Sequence, residues 1–258
     1  MSQPLTKHSI LLAAGILLPA TSHGAALRIT VEATSNIGLA PALLSFHDGS
    51  NDFFDTGSAA FTGLEELAEV GDTSVLQGSL TTGDNITIAN GGPFLPGSSN
   101  TVTFNIADTN TNFSFAAMLL PSNDWFIGNN NALDISSLIS GGLGTSLTFD
   151  FGRVYDAGTE EEDFAFSPGN PIIGIDPGMP GGGTATTDNV SLVDAANPFA
   201  SFDNISPASF DPTVYDFNAN GVGGIILGRV TLTNIPEPGT TLLGGFGALA
   251  LLLRRRRS

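Results

Sequence analysis

The sequence contains no cysteine, few basic residues and few aromatic side chains other than phenylalanine. Its 258 residues include 0 Cys, 8 Lys+Arg, 1 Trp and 2 Tyr. The absence of cysteine excludes disulfide bonds and thiolate metal sites. The shortage of basic residues against 25 Asp+Glu gives a net charge of −17, and so acidic a chain repels phosphate groups. Nucleic acid is therefore not an expected partner, whereas cations and basic surfaces are.

The N-terminus has the layout of a secretory signal peptide. Lys7 precedes an apolar run, Ile10–Leu18, and small residues follow as far as Ala26. A basic segment, an apolar segment and a small-residue cleavage site, in this order, are typical of exported proteins. We therefore predict a signal peptide over residues 1–26 and a mature chain that begins at Leu27.

Half of the basic residues stand at the other end of the chain. Arg254–Arg257 directly follow an apolar segment, Leu242–Leu253. A membrane-spanning helix needs about 20 residues, so a helix here has marginal length. The arginines would remain on the cytoplasmic side of the membrane. The sequence therefore predicts that residues 239–253 anchor the exported chain transiently in the inner membrane.

The same tail also carries a more specific pattern. Pro236-Glu237-Pro238, an apolar segment and a basic cluster follow one another in residues 235–258. This order resembles the PEP-CTERM sorting signal of Gram-negative bacteria. The resemblance implies recognition by an exosortase, removal of the tail, and delivery to the cell surface or the extracellular matrix.

The body between these ends, residues 27–234, favours an all-β fold. Apolar and polar residues alternate over 27–33, 101–106 and 113–119, as they do in half-buried strands. The last two segments predict an antiparallel hairpin that turns at Asp108–Asn112. Further strands are predicted at 43–46, 146–151 and 225–233, and a mobile Gly/Pro-rich excursion at 168–189.

A short helical insert interrupts the strands. Thr62 and Glu65 have the spacing of a capping box, and Gly71 is a typical stop signal. Leu64, Leu67 and Ala68 share one face of this helix, which leaves the glutamates of 65–69 on the solvent face. A second short helix is predicted at 74–80. Short strands, a brief helical insert and long loops favour an antiparallel β-sandwich.

Three stretches of the body, 41–76, 113–128 and 154–164, resemble the spondin domain, or spondin N domain. The segments LLPSNDWFIG and YDAGTE carry the resemblance most specifically, and it covers about 40–234. It implies a C2-like antiparallel β-sandwich with a calcium ion at one end. It also implies adhesion or matrix association, with a matrix polymer or a surface protein as partner, rather than catalysis.

The resemblance places the calcium ligands at Asp124, Asp156 and Glu160. The family pattern has Asp at the third position, so Glu161 or Glu162 could replace Glu160. Calcium takes six to eight oxygen ligands, and two acidic loops could supply several of them. These carboxylates converge if the strands 113–120 and 146–154 are neighbours.

Other motifs are weaker. Residues 216–221 open like a calcium loop, but Leu227 stands where that loop needs a glutamate, so a hairpin turn is preferred. His47, Asp48 and Ser50 are too close in sequence to form a catalytic triad. Trp125 is expected to be a packing anchor rather than a sugar platform. No enzymatic activity is expected; the alternative is a carbohydrate-binding or hydrolytic module that acts on exopolysaccharide.

Overall fold

The computed structural model describes residues 24–35, 37–61, 63–120, 122, 124–161, 184–193 and 226–237. Most of the signal peptide, the C-terminal segment 238–258, Glu162 and the motif at 216–221 lie outside these ranges, so those predictions remain predictions. The strands are β1 (Ala26–Ala33), β2 (Gly38–Leu39), β3 (Ala42–His47), β4 (Asp84–Ile88), β5 (Ser99–Asn105), β6 (Asn112–Leu120), β7 (Trp125–Gly128), β8 (Leu133–Asp134), β9 (Ser146–Phe151), β10 (Val154–Asp156), β11 (Ser191–Leu192) and β12 (Gly228–Ile235). The helices are α1 (Leu64–Val70), α2 (Ser74–Ser79) and α3 (Ser136–Ser140).

Two antiparallel sheets form a sandwich, as the sequence predicts. One is four-stranded, with the order β5-β1-β12-β9. The other is eight-stranded, with the path β11-β10-β7-β6-β3-β4 and with β2 and β8 also paired to β6. Pairing of β1 with β12, from opposite ends of the body, completes the smaller sheet.

Phenylalanine side chains join the two sheets. Phe115 of β6 stacks on Phe151 of β9 with ring centroids 4.3 Å apart. Phe113 stacks in the same way on Phe149, at 5.5 Å. Aromatic pairs at these distances contribute about 0.5–1.5 kcal/mol beyond the area that they bury. The main core of the protein therefore lies between the sheets.

A second apolar layer covers the outer face of the larger sheet. Leu64 and Leu67 of α1 are fully buried in a cluster with Phe54, Ala116 and Phe126. Because β6 has core on both of its faces, its residues are buried almost without interruption. Its sequence therefore reads as a mostly apolar run rather than a strict alternation.

The predicted hairpin between residues 101–106 and 113–119 is wrong. The first segment, β5, pairs with β1, whereas the second, β6, pairs with β3 and β7. The turn at 108–112 therefore carries the chain from one sheet to the other. Each strand satisfies its backbone groups with a partner distant in sequence, which alternation alone does not identify.

The predicted helix ends are only partly right. Gly71 ends α1 with a φ of 71°, as expected of a left-handed cap. The helix begins at Leu64 with Gly63, rather than the predicted Thr62, at its N-cap position and with no side-chain capping bond; Thr62 itself lies outside the described residues. A Cβ on Gly63 would lie 2.3 Å from the backbone nitrogen of Leu76, so the close contact between the helices requires glycine there. Glu69, predicted on the solvent face, is fully buried.

We expect Phe115→Leu to destabilise the protein by about 1–2 kcal/mol, because it removes the stack on Phe151 and leaves space in a packed core. Urea unfolding measures this loss. Phe61, which is 48% exposed, provides the matched control. Phe61→Leu should change stability by no more than about 0.5 kcal/mol. Equal effects of the two changes would show that the stack does not join the sheets.

Candidate metal centre

Strand pairing brings Asp124 and Asp156 to the same end of the larger sheet. β7 begins immediately after Asp124, and β10 ends at Asp156. The antiparallel register places Asp156 opposite Trp125. The carboxylates therefore converge as predicted, but the predicted cause is wrong: residues 146–151 form β9 in the other sheet, and β7 is the strand that neighbours β10.

A tight turn between β6 and β7 positions Asp124. The hydroxyl of Ser122 donates to the carbonyl oxygen of Leu119 at 2.6 Å and accepts the N–H of Trp125 at 3.2 Å. These bonds connect the end of β6 to the start of β7 through one side chain. Asp124, fully buried, is thereby fixed at the start of β7.

One oxygen of Asp124 holds the loop that follows β10. Asp124 Oδ2 accepts the backbone N–H of Thr159 at 3.0 Å and that of Glu160 at 3.1 Å. The main-chain oxygen of Asp124 accepts the N–H of Ala157 at 3.1 Å. Backbone donors aimed at a carboxylate favour its charged form.

The other oxygen of Asp124 has no such partner. Asp124 Oδ1 is buried and accepts no hydrogen bond from any N–H or O–H group in the described ranges. Burial raises the pKa of Asp124 to about 7, and the charges of Asp156 and Glu160 add to this, against the N–H groups of Glu160 and Thr159. Two carboxyl groups therefore share one end of the sheet without sufficient positive charge around them.

Asp156 is held from the same loop. Its Oδ1 accepts the N–H of Gly158 at 2.6 Å. Burial raises its pKa, as does the charge of Asp188, whereas the N–H of Gly158 and the nearby side chain of Asp124 act in the opposite direction. Asp188 is a member of the site that sequence reasoning missed. It lies in the Gly/Pro-rich stretch predicted as a mobile excursion, which carries no periodic signal.

The third predicted ligand lies beside the pair. Glu160 is 3% exposed, and its charge contributes to the raised pKa of Asp124. Glu161 is exposed, and its N–H bonds to the carbonyl oxygen of Thr184 at 2.7 Å. Within the described ranges, no three acidic or histidine side chains meet in the geometry of a metal cluster.

The donor set nevertheless fits a hard divalent cation. It consists of carboxylate oxygens, which calcium prefers, and histidine and cysteine take no part in it. Asp124 Oδ1 is a buried acceptor that lacks a donor, and such an atom costs free energy unless a proton or a cation approaches it. Asp124 and Asp156 would hold the ion, with Glu160, whose charge acts on Asp124, as a further carboxylate.

Two other sequence candidates have structural roles. Trp125 is only 5% exposed and packs in the main core, so it offers no face to a sugar. His47 is fully buried, and its Nδ1 accepts the backbone N–H groups of Gly49 and Asn51 at 3.1 and 3.2 Å. The hydroxyl of Ser50 bonds to Thr82 rather than to His47. His47 therefore shapes the turn after β3. His47, Asp48 and Ser50 do not form a catalytic triad, as predicted from the sequence.

These observations define an antiparallel β-sandwich domain with a buried acidic pair at one end. The Spondin_N family model matches residues 37–174, more than half of the chain, and the chain therefore belongs to this family. The match ends at residue 174, whereas the resemblance seen in the sequence is expected to extend to about residue 234.

A PEP-CTERM protein-sorting motif matches residues 234–257, which confirms the predicted sorting signal. The motif indicates export to the surface or exterior of a Gram-negative cell and implies processing by an exosortase. No curated protein matches the chain. No helix within the described ranges is long and apolar enough to cross a membrane, and the predicted span, 239–253, lies outside them.

Asp124→Asn tests the repulsion within the acidic pair. The amide oxygen can still accept the N–H groups of Thr159 and Glu160, and the amide N–H₂ can donate to Asp156. We expect the calcium-free protein to gain about 1–2 kcal/mol at neutral pH, measured by urea unfolding in chelator. Asp108→Asn, at an exposed position, is the control. A loss of stability in Asp124→Asn would mean that the wild-type charge is already balanced.

His47 should make stability depend on pH in a defined direction. Burial lowers its pKa below the ordinary value of 6.5. As the pH falls below 6.5, the unfolded chain takes up a proton that the folded protein resists, so stability is lost. His47→Asn, whose side-chain oxygen can accept the same N–H groups, should flatten this part of the profile. Identical profiles for the two proteins, from thermal melts across this range, would refute the prediction.

Proposed function

We propose that this protein is a non-enzymatic, exported component of the cell surface or extracellular matrix whose Spondin_N domain binds calcium. Asp124, Asp156 and Glu160 contribute the carboxylate ligands. The observation that carries this proposal is the orphaned, buried Oδ1 of Asp124 beside a second carboxyl group. Backbone oxygens and water complete a calcium shell in proteins that offer few side chains.

The energetic role of calcium follows from the charges. The raised pKa of Asp124 means that its carboxylate is less stable in the folded protein than in the unfolded chain. Without a cation, ionisation of Asp124 at neutral pH therefore lowers the free energy of unfolding. A bound divalent ion reverses that effect, because it favours both charged carboxylates. Binding to the folded state alone also raises stability by mass action.

Calcium would act on surface loops as well as on stability. The pair joins the turn before β7 to the loop at 157–161, and the segment containing Asp188 packs against that loop. Asp188 N–H donates to the carbonyl oxygen of Gly158 at 2.9 Å. These loops lie together at one end of the sandwich, where an ordered surface can contact a matrix polymer or a surface protein. We assign adhesion or matrix association to this end.

The tail completes the proposal. The sorting motif supports export, and residues 239–253 would hold the protein in the inner membrane until an exosortase processes it. The alternative function, a carbohydrate-binding or hydrolytic module, gains no support from the described residues, since Trp125 is buried. We do not propose it further.

Trp125 makes the calcium proposal directly testable. It is the single tryptophan of the sequence. It directly follows Asp124 in the chain, and Asp156 is its partner on the neighbouring strand. Terbium, which substitutes for calcium, should give luminescence sensitised by Trp125, and calcium should displace it. Calcium should also raise the melting temperature, and chelator should lower it.

The variants separate this site from non-specific binding to an acidic protein. Asp156→Asn should abolish both the terbium signal and the thermal response, whereas Asp108→Asn should keep both. Equal responses of the two variants would overturn the site assignment. Attachment of the wild type to matrix material should require calcium; attachment that is unchanged in chelator would overturn the adhesive role of this end.

A further inference from the structure

A cavity of about 390 Å³ lies on a different part of the surface from the acidic pair. The turn after β3 forms one wall, and α2 with the residues that follow it forms the other. The lining residues are Ser50, Asn51, Asp52, Phe61, Leu76, Ser79, Leu80 and Thr81. A volume of this order suits a small ligand or one long side chain.

Hydrogen bonds preform this cavity. Asn51 Nδ2 donates to the hydroxyl of Ser45 and to the carbonyl oxygen of Thr82, both at 2.9 Å. Ser50 and Thr82 share a hydroxyl–hydroxyl bond of 2.6 Å. Asn51 N–H is also fixed by the buried His47. Both walls are therefore tied together before any ligand arrives, which lowers the entropic cost of binding.

The lining combines one carboxylate with apolar surface. Leu76 is buried, whereas Phe61 is 48% exposed at the rim. Asp52 is exposed at the cavity surface; partial burial raises the pKa of its carboxyl group, as does the charge of Asp55, whereas the backbone N–H groups of Phe54 and Phe53 lower it. A partly desolvated carboxylate gains from a cation that enters with it.

No basic side chain of the described residues lines the cavity. The described arginines lie elsewhere, with Arg28 on β1, Arg229 on β12 and Arg153 just before β10. Arg229 is already paired with Asp150 at 2.6 Å. Within the described residues, no arginine or lysine is therefore placed to pair with Asp52 in the cavity.

We propose that this cavity binds a guanidinium or alkylammonium group on an aliphatic stem. The cation would meet Asp52, and its methylene stem would lie against Leu76, Leu80 and the ring of Phe61. Stems of this kind pack along apolar surface while their charged ends stay polar, and cations bind aromatic faces. Such a group is presented by a free diamine or agmatine and by an arginine or lysine on a protein partner.

Paired probes test the charge requirement on the full chain, purified in mild detergent with calcium held constant. Nα-acetyl-arginine amide and Nα-acetyl-citrulline amide have nearly the same shape, but only the first is charged. Ligand-observed NMR titration should show saturable binding of the arginine probe, about tenfold tighter than that of the citrulline probe. Equal binding of the two probes, or no saturable binding of either, would overturn the proposal.

The variants test the location. Asp52→Asn should weaken binding of the arginine probe about tenfold, and Phe61→Leu about threefold. Asp55→Asn is the matched control, because Asp55 adds charge nearby without lining the cavity. An Asp55→Asn effect as large as that of Asp52→Asn would show diffuse attraction to an acidic surface instead of this site.

Two further probes distinguish the sources of the cation. Agmatine represents a free small amine, and a short, end-capped peptide whose single charge is one internal arginine represents a protein partner. Tighter binding of agmatine assigns the cavity to a small molecule, and tighter binding of the peptide assigns it to a protein side chain. Either result supports the recognition of a cationic stem, and failure of both probes contradicts it.

Discussion

The antiparallel register of β7 and β10 is the constraint on which the candidate metal centre depends. Because Asp156 stands opposite Trp125, the residue that precedes β7 and the residue that ends β10 lie at the same end of the sheet. Backbone N–H groups then hold the two side chains there: those of Thr159 and Glu160 on Asp124 Oδ2, and that of Gly158 on Asp156 Oδ1. The sheet thus stabilises an arrangement that electrostatic repulsion opposes, and a shift of the register by one residue would move each side chain to the other face.

The same sheet can bear this cost because it is packed on both faces. Phe115 of β6 contacts the opposite sheet, while its neighbour Ala116 contacts the layer built by α1. Two apolar layers on one sheet bury its central strands β3, β6 and β7 almost completely. Burial of apolar area in these two layers stabilises the fold by roughly 25 cal/mol per Å². The free-energy cost of one uncompensated carboxylate is only part of that stabilisation.

Sequence reasoning recovered local structure better than pairing. Alternation located β1, β5 and β6, and Gly71 marked the end of α1, where the backbone adopts a left-handed cap. It failed for β5 and β6, since two alternating segments separated by a polar turn look alike whether they pair with each other or with distant strands. The smaller sheet joins β1 to β12, and no local pattern encodes such a contact.

The candidate centre divides in the same way. Asp124 and Asp156 were identifiable because they stand in a motif of fixed order beside a tryptophan. Their convergence was predicted from the wrong strand pair, because the motifs mark the residues but do not encode the sheet topology. Asp188 was not identifiable, since its position depends on backbone bonds such as that from its own N–H to Gly158.

Those backbone bonds also connect the centre to the chain excursion beyond it. Glu161 N–H meets the carbonyl oxygen of Thr184 at 2.7 Å, so the chain leaves and re-enters the described structure at one place. The bonds to Thr184 and from Asp188 lie beside Asp124 and Asp156, whose mutual repulsion weakens the same region. A cation that favours both carboxylates would therefore also favour these loop contacts, and this coupling links the stability of the sandwich to the surface that it presents.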